Sequence, residues 1–89
     1  GVRVRVLLPS SATPIDGAAL ARSGVRIRLV AKPYIHAKAV LTDRSEAFIG
    51  SENLSGQSLD RNREIGVLLR GPVVDRLRLT FQSDWKRGR

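Results

Sequence analysis

The chain has 89 residues, which is the size of one small domain. Its 42% hydrophobic and 27% charged residues are typical of a globular protein, and no apolar run approaches the ~20 residues needed to cross a bilayer. Because it has no cysteine, one histidine and no carboxylate cluster, the sequence excludes disulfides and cysteine nucleophiles and predicts no metal site and no cofactor.

The charge balance is the unusual property of the composition. Sixteen Lys and Arg stand against eight Asp and Glu, which gives a net charge of +8, and most of the cations are arginine. Such a balance favours a polyanionic partner, namely nucleic acid, an anionic membrane surface or a phosphorylated substrate. Charge alone leaves equally open a solubility role or contact with an acidic protein.

The first third of the chain predicts a βαβ unit. Valine alternates with arginine over residues 2–6, a period of two that indicates a half-buried strand rather than a signal peptide. Thr13-Pro14 predicts a helix start, and Gly24 predicts its end. A second alternating segment, residues 25–29, predicts a strand parallel to the first.

Four arginines are predicted to lie on one face of these two strands. A solvated face is the simpler interpretation, and a face that meets an acidic group is the alternative. The residues are Arg3, Arg5, Arg26 and Arg28.

The rest of the chain predicts three more strands and a second helix. Lys32-Pro33 is a break, and strands are expected at residues 34–42, 47–50 and 65–69, with a polar loop over residues 51–62. Pro72 can open an amphipathic helix, and the tail after it, residues 86–89, is expected to fray. The helix stripe is Val74, Leu77, Phe81 and Trp85. The predicted fold class is therefore α/β, with a mixed sheet of about five strands and two helices.

The histidine lies two residues before a lysine, and that spacing carries the chemical argument. Along a strand such residues share a face and lie ~6.5 Å apart. If a two-residue turn at 44–45 joins the strands, His36 faces Asn53 and Lys38 faces Ser51. Val40 opposite Ile49 and Thr42 opposite Ala47 would then form the apolar floor, whereas a three-residue turn would reverse the parity.

An imidazole, an ammonium, a hydroxyl and a carboxamide that converge suit a tetrahedral oxyanion. Lys38 would supply charge, and Ser51 and Asn53 would supply neutral donors. His36 could attack phosphorus or protonate a leaving group, with Glu64 as an orienting acceptor. Taken singly, the histidine also fits a packing role, the lysine a solvated charge, and the serine and asparagine a turn.

The combined spacing resembles the HKD motif of the phospholipase D superfamily. The pattern is His36-x-Lys38, four residues, Asp43, six residues, then Gly50-Ser51-x-Asn53. The flanking sequence is also similar, and the resemblance covers about residues 25–85. The flanking matches are Tyr34-Ile35, Ser58-Leu59, Asn62-Arg63-Glu64-Ile65-Gly66, Phe81 and Asp84-Trp85.

The resemblance implies a role for each matching residue. His36 would form a phosphohistidine or act as its acid-base partner, and Lys38 and Asn53 would bind the phosphoryl oxygens. Ser51 would lie at the same site, and Glu64 would hydrogen-bond the histidine. Asp43 and Gly50 would be structural. The residue pair 44–45 departs from the glycine often found after the aspartate.

The family builds its active site from two such motifs, and this sequence has one. We therefore expect residues 1–89 to be a single half-domain of a two-lobed fold, resembling the C-terminal half of a bacterial cardiolipin-synthase-like protein. The second half would come from the same chain or from a homodimer partner. The sequence does not give the compartment; a cytoplasmic or peripheral-membrane location is expected if the intact chain agrees.

The implied reaction is metal-independent phosphodiester cleavage or phosphatidyl transfer. Phospholipid is the expected substrate, with an anionic membrane surface as a partner. The alternatives are a nuclease, for which 4% aromatic residues offer little stacking surface, and a non-catalytic basic module that binds phosphate.

Overall fold

The computed structural model describes residues 2–11, 21–51 and 63–89. These residues form β1 (Arg5–Pro9), β2 (Arg26–Val30), β3 (Lys38–Leu41), β4 (Glu46–Gly50), β5 (Gly66–Arg70) and helix α1 (Pro72–Arg87). The α/β class and the five strands are confirmed. Within the described residues the strands form two sheets, β1-β2 and β3-β4-β5.

The chain divides into two compact units. The first contains β1, β2 and the chain from Phe81 to Arg89, and the second runs from Ala37 to Thr80. Most of the first predicted helix, which follows Thr13-Pro14, lies outside the described residues. Its predicted end is confirmed, because residues 21–22 are helical and Gly24 has a φ of 89°.

The sheet of the first unit is the predicted parallel pair, with Arg5 opposite Arg26 and Pro9 opposite Val30. The first strand was predicted over residues 2–6 but begins at Arg5, because that is where pairing with β2 begins. Val2, which lies before the paired segment, is 91% exposed. The alternation of valine and arginine thus indicated a strand but misplaced its start by three residues.

The arginine face is solvated only in part, because Arg5 and Arg26 are exposed but Arg28 is half-buried. The guanidinium carbon of Arg28 lies 4.6 Å from the ring centroid of Trp85, and that of Arg5 lies 5.4 Å from the same centroid. Arg5 also lies 5.2 Å from the ring centroid of Phe81. Since a guanidinium is attracted to the face of an aromatic ring, this face packs on the end of α1.

The chain terminus is paired rather than frayed, contrary to the prediction. The amide of Arg89 donates to the carbonyl of Leu29 at 2.9 Å, and the amide of Leu29 donates back at 3.5 Å. A Cβ added at Gly88 would lie 3.0 Å from the Cβ of Arg28, so this residue permits the close approach. The end of the chain therefore adds main-chain pairing to the edge of β2.

The sheet of the second unit is antiparallel, and its register differs by one residue from the prediction. Lys38 lies opposite Gly50, and Gly50 lies opposite Gly66. The turn contains three residues, Asp43, Arg44 and Ser45, because Ser45 adopts a φ of 55°, as in hairpins that close a type I turn with a left-handed residue. β4 therefore begins at Glu46, one residue earlier than predicted.

Helix α1 begins at the predicted proline and carries the predicted apolar stripe. Val74 is fully buried and Trp85 is 7% exposed, whereas the intervening Leu77 and Phe81 are half-buried. In the second unit, a guanidinium nitrogen of Arg78 donates to the carbonyl of Thr42 at 2.9 Å. This bond ties the helix to the hairpin that carries the HKD-like residues.

Candidate functional site

His36 lies in the segment that leads into β3 rather than within a strand. The strand was predicted to begin at Tyr34 but begins at Lys38, so the histidine precedes the ladder. The His36 side chain is exposed and stacks on Tyr34, with ring centroids 6.4 Å apart and planes inclined by 18°. Lys38 is half-buried at the first position of β3.

Two glycines lie opposite Lys38 across the sheet, at Gly50 in β4 and Gly66 in β5. The predicted pairing of Lys38 with Ser51 is therefore wrong. Residues directly opposite each other in an antiparallel ladder share a face, so Lys38 lies on the face where both neighbouring positions lack a side chain. Neither β4 nor β5 therefore places a side chain directly opposite Lys38.

Ser51 is engaged on the β5 side of the ladder. Its hydroxyl donates to a carboxylate oxygen of Glu64 and accepts the amide hydrogen of Ile65 at 3.1 Å. The main chain continues the ladder, with the Ser51 amide donating to the Ile65 carbonyl at 2.9 Å. The structure therefore brings together two of the predicted site residues, Ser51 and Glu64, through a charge-assisted hydrogen bond.

The remaining predicted residues are placed as follows. Asp43 is exposed in the turn after β3, and Gly50 is the last residue of β4. Asn53, which was predicted to face His36, lies outside the described residues.

An exposed apolar row lies on the same sheet face as Lys38. Val40, Phe48 and Leu68 occupy directly opposed positions in β3, β4 and β5, and they are 53%, 38% and 55% exposed. The predicted floor paired Val40 with Ile49, and the one-residue register shift replaces Ile49 by Phe48. The floor is apolar as predicted, but its members differ.

Sequence reasoning missed the contact between Phe48 and Gly66. A Cβ added at Gly66 would lie 2.6 Å from Cε2 of Phe48 and would overlap Cζ. The ring therefore covers the backbone of β5 at a position that only glycine leaves open. Gly50 in the motif and Gly66 in its flank were the sequence signal for a close approach between strands. They lie directly opposite each other in the observed register.

The described residues contain neither a cluster of metal ligands nor a helix that could cross a membrane. No group of three or more histidine and carboxylate side chains in these ranges could hold a metal ion. None of the helical segments described is long and apolar enough to cross a membrane.

The sequence is similar to enzymes of phospholipid metabolism. Residues 1–85 match the family described as "Cardiolipin synthase, PLD-like domain". Phospholipase D Z of Dictyostelium discoideum is 34% identical over 96 residues, covering 96% of this chain and 23% of that protein. Cardiolipin synthase A of Pseudomonas entomophila strain L48 is 34% identical over 98 residues, covering 100% of this chain and 20% of that protein.

No solved structure matches the chain significantly. The chain spans between 20% and 23% of the length of these curated relatives. The family match covers nearly the whole sequence and includes every residue of the HKD-like pattern and both glycines opposite Lys38. On this evidence the chain belongs to the PLD-like domain family of cardiolipin synthases.

Proposed function

We propose that this chain supplies one half of a phosphodiester active site that cleaves or transfers the phosphatidyl group of a phospholipid. The observation that carries the proposal is the position of Lys38. It begins β3 two residues after an exposed histidine, opposite two glycines and beside an exposed apolar row. The relatives named phospholipase D and cardiolipin synthase A support the choice of substrate class.

The proposed reaction runs through a covalent intermediate. A ring nitrogen of one histidine attacks phosphorus, the bond to the leaving alkoxide breaks, and the second histidine of the complete site protonates that oxygen. Water or an alcohol then attacks phosphorus, gives its proton to the second histidine, and releases the first. His36 provides one of these two imidazoles, and Lys38 and Asn53 hold the non-bridging oxygens.

Glu64 orients the histidine in this proposal, and Ser51 has a different role from the one first expected. The Ser51 hydroxyl donates to Glu64, so its proton is directed to the carboxylate. Ser51 therefore positions Glu64, which in this proposal accepts a hydrogen bond from the ring of His36 and orients it. This role explains why a serine follows Gly50 at the end of β4.

The apolar row favours a lipid over a nucleic acid. Val40 lies two residues after Lys38 on the same strand, so the two Cα atoms are ~6.5 Å apart. Phe48 and Leu68 continue the apolar row across the sheet from Val40, next to a phosphate bound at Lys38. Apolar side chains exposed in a row are suited to the glycerol backbone and acyl chains, whereas a nucleic acid would present sugar and phosphate there. The basic composition is the observation that keeps a nuclease as the second candidate.

The test uses the complete protein, with both halves of the site present. His36→Asn is expected to abolish turnover of phosphatidylglycerol vesicles while leaving the circular dichroism spectrum unchanged. Lys38→Met is expected to raise KM and lower kcat together, because the ammonium binds the ground state and the transition state. Protein treated with ³²P-labelled substrate and quenched in detergent at alkaline pH should carry a label that is stable to alkali and lost in acid if the phosphohistidine forms on this imidazole.

Arg44→Gln is the matched control, since Arg44 is exposed in the hairpin turn. It removes a cation from the same unit without touching the proposed site. Full turnover by His36→Asn would refute the role of the histidine. Cleavage of single-stranded DNA that depends on His36, with phosphatidylglycerol left intact, would replace the lipid assignment by the nuclease. Binding of phosphate without turnover of either would favour the non-catalytic module.

A further inference from the structure

The positive charge of the chain is concentrated in the first unit. Among the described residues, the carboxylates of that unit comprise Asp84 alone, whereas the second unit has four: Asp43, Glu46, Glu64 and Asp75. The described cations of the first unit are Arg3, Arg5, Arg22, Arg26, Arg28, Lys32, Lys86, Arg87 and Arg89. Those of the second unit are Lys38, Arg44, Arg63, Arg70, Arg76 and Arg78.

Six of the cations in the first unit lie on the two strands, the end of α1 and the residues after it, and we call them the Trp85 cluster: Arg5, Arg26, Arg28, Lys86, Arg87 and Arg89. Arg5 and Arg28 lie over the ring of Trp85. Arg26 lies directly opposite Arg5 in the sheet. Lys86 and Arg87 follow the tryptophan in the last turn of α1, and Arg89 is paired with Leu29, the neighbour of Arg28.

The fold accounts for some of this charge. Arg28 donates to the carbonyl of Trp85 at 2.7 Å, which satisfies an acceptor at the end of the helix. Lys86 and Arg87 lie at the helix C-terminus, where cations are favoured by the helix dipole. Arg5 gains from the two rings that it covers.

The fold does not account for the remaining charge. Arg26 and Arg89 are exposed, and within the described ranges neither forms an ion pair with a carboxylate. Like charges on neighbouring elements of one small unit repel one another, so retaining them opposes folding unless an anion is also bound there. The surplus therefore indicates a surface with an external anionic partner.

We propose that the Trp85 cluster docks the protein on the surface of an anionic phospholipid bilayer. Guanidinium groups present planar pairs of donors that match phosphate oxygens, and each cation near such a surface adds to binding. The choice of a bilayer over a nucleic acid rests on the proposed function. The cluster itself agrees with it, because Trp85 is 7% exposed beneath the arginines and offers no ring on which a base could stack.

The experiment measures binding of the complete protein to vesicles of phosphatidylcholine with 30 mol% phosphatidylglycerol, by co-sedimentation at low salt. The double variant Arg26→Gln/Arg87→Gln is expected to bind about thirty-fold more weakly, which is the roughly 2 kcal/mol that two cations near an anionic surface contribute. Binding should also weaken as salt rises, because a charged surface is screened within about a Debye length.

Two further variants separate the cluster from overall charge and from misfolding. Arg44→Gln/Arg76→Gln removes two exposed cations from the second unit and should change binding less than threefold. Arg26→Lys/Arg87→Lys keeps the charge and should bind within about threefold of the native protein. An equal loss in the control from the second unit would overturn the proposal, because net charge would then suffice.

The outcomes also distinguish docking from catalysis. Loss of vesicle binding in Arg26→Gln/Arg87→Gln, with unchanged turnover of the soluble diester bis(p-nitrophenyl) phosphate, supports docking as a separate function. Unchanged vesicle binding in that variant overturns docking and leaves the proposed function standing. A thirty-fold loss of duplex DNA binding with vesicle binding unaltered would likewise overturn it, and would assign the cluster to nucleic acid. Cluster-dependent vesicle binding in a protein without diesterase activity would support docking while the proposed function failed.

Discussion

Replacing Gly66 by alanine tests how β4 and β5 fit together next to the site. The new Cβ would overlap the ring of Phe48, with Cε2 at 2.6 Å and Cε1 at 3.1 Å, so the ring must move. Phe48 is 38% exposed, and the overlapping atoms are the far end of its side chain, so the ring can swing toward solvent. We expect a cost of about 1–2 kcal/mol, at the lower part of the range for overpacked sites.

The assay is hydrogen exchange of the intact protein, followed by mass spectrometry of peptides from β4 and β5. A local loss of 1–2 kcal/mol raises exchange by about five-fold to thirty-fold in these strands. Exchange in β1 and β2, which belong to the other unit, should not change. Those peptides therefore serve as the internal control.

A double-mutant cycle with Phe48→Ala makes the reasoning refutable. The three nearest atoms to a Cβ at position 66 all belong to the ring, so its removal relieves the overlap, and alanine is no worse than glycine in a strand. Gly66→Ala should therefore cost less than about 0.5 kcal/mol in the Phe48→Ala background. If the two effects add instead, the ring does not determine the need for glycine, and the account of this contact is wrong.

Two more substitutions test the face and the edge of the site. Leu68→Gln should raise KM for long-chain phosphatidylglycerol about fivefold, because it removes about 1 kcal/mol of apolar contact with the acyl chains. The same variant should leave kcat/KM for the soluble diester bis(p-nitrophenyl) phosphate unchanged. Leu79→Gln is its control, since Leu79 on α1 is 65% exposed against 55% for Leu68, and equal effects of both would refute a lipid-binding row. Ser51→Ala should lower kcat about tenfold with little change in KM, because Glu64 loses the hydroxyl that orients it. Ser51→Thr should restore most of the rate, and full kcat in Ser51→Ala would remove Ser51 from its positioning role.

The order and type of the described elements could be predicted because they depend on local patterns. Alternating valine and arginine indicated both parallel strands, and the stripe from Val74 to Trp85 indicated the helix. Apolar residues recur every second position in a strand and every three to four positions in a helix, so both patterns can be recognised within a short stretch of sequence. Strand ends were less predictable because they depend on where a partner strand begins and ends. β1 begins at Arg5 for that reason.

The arginine face and the chain terminus could not be predicted from local patterns. Arg28 and Trp85 are 57 residues apart in sequence, and their contact arises only when α1 returns to the parallel sheet of the first unit. The same return brings Arg89 beside Leu29. A single sequence indicates that arginine is present on a strand, but it does not indicate which distant ring will cover it.

The turn between β3 and β4 determined which site residues could meet. A left-handed φ at Ser45 adds one residue to the turn. Because side chains alternate between the two faces of a sheet, this shift of one residue brings to each position of β3 a β4 partner whose side chain was predicted on the opposite face. Nothing in the pair Arg44-Ser45 indicates this conformation as glycine or asparagine would. The predicted facing of Lys38 and Ser51 failed for this reason, although both residues lie at the predicted end of the hairpin.

The observed register explains the motif's glycines better than the predicted one did. With Ser51 opposite Lys38, Gly50 would have lain opposite Ala39, on the other face of the sheet from Lys38. With Gly50 opposite Lys38 and Gly66 beyond it, three neighbouring strands carry one ammonium and no other side chain in that row. In the proposed site Gly50 adds no side chain beside the cation that would bind the phosphate, whereas the ring of Phe48 covers Gly66 and Ser51 binds Glu64 at the edge of the ladder. In the proposed site the one-residue shift therefore separates two roles, with Lys38 beside Gly50 binding the anion and Ser51 with Glu64 supporting the imidazole.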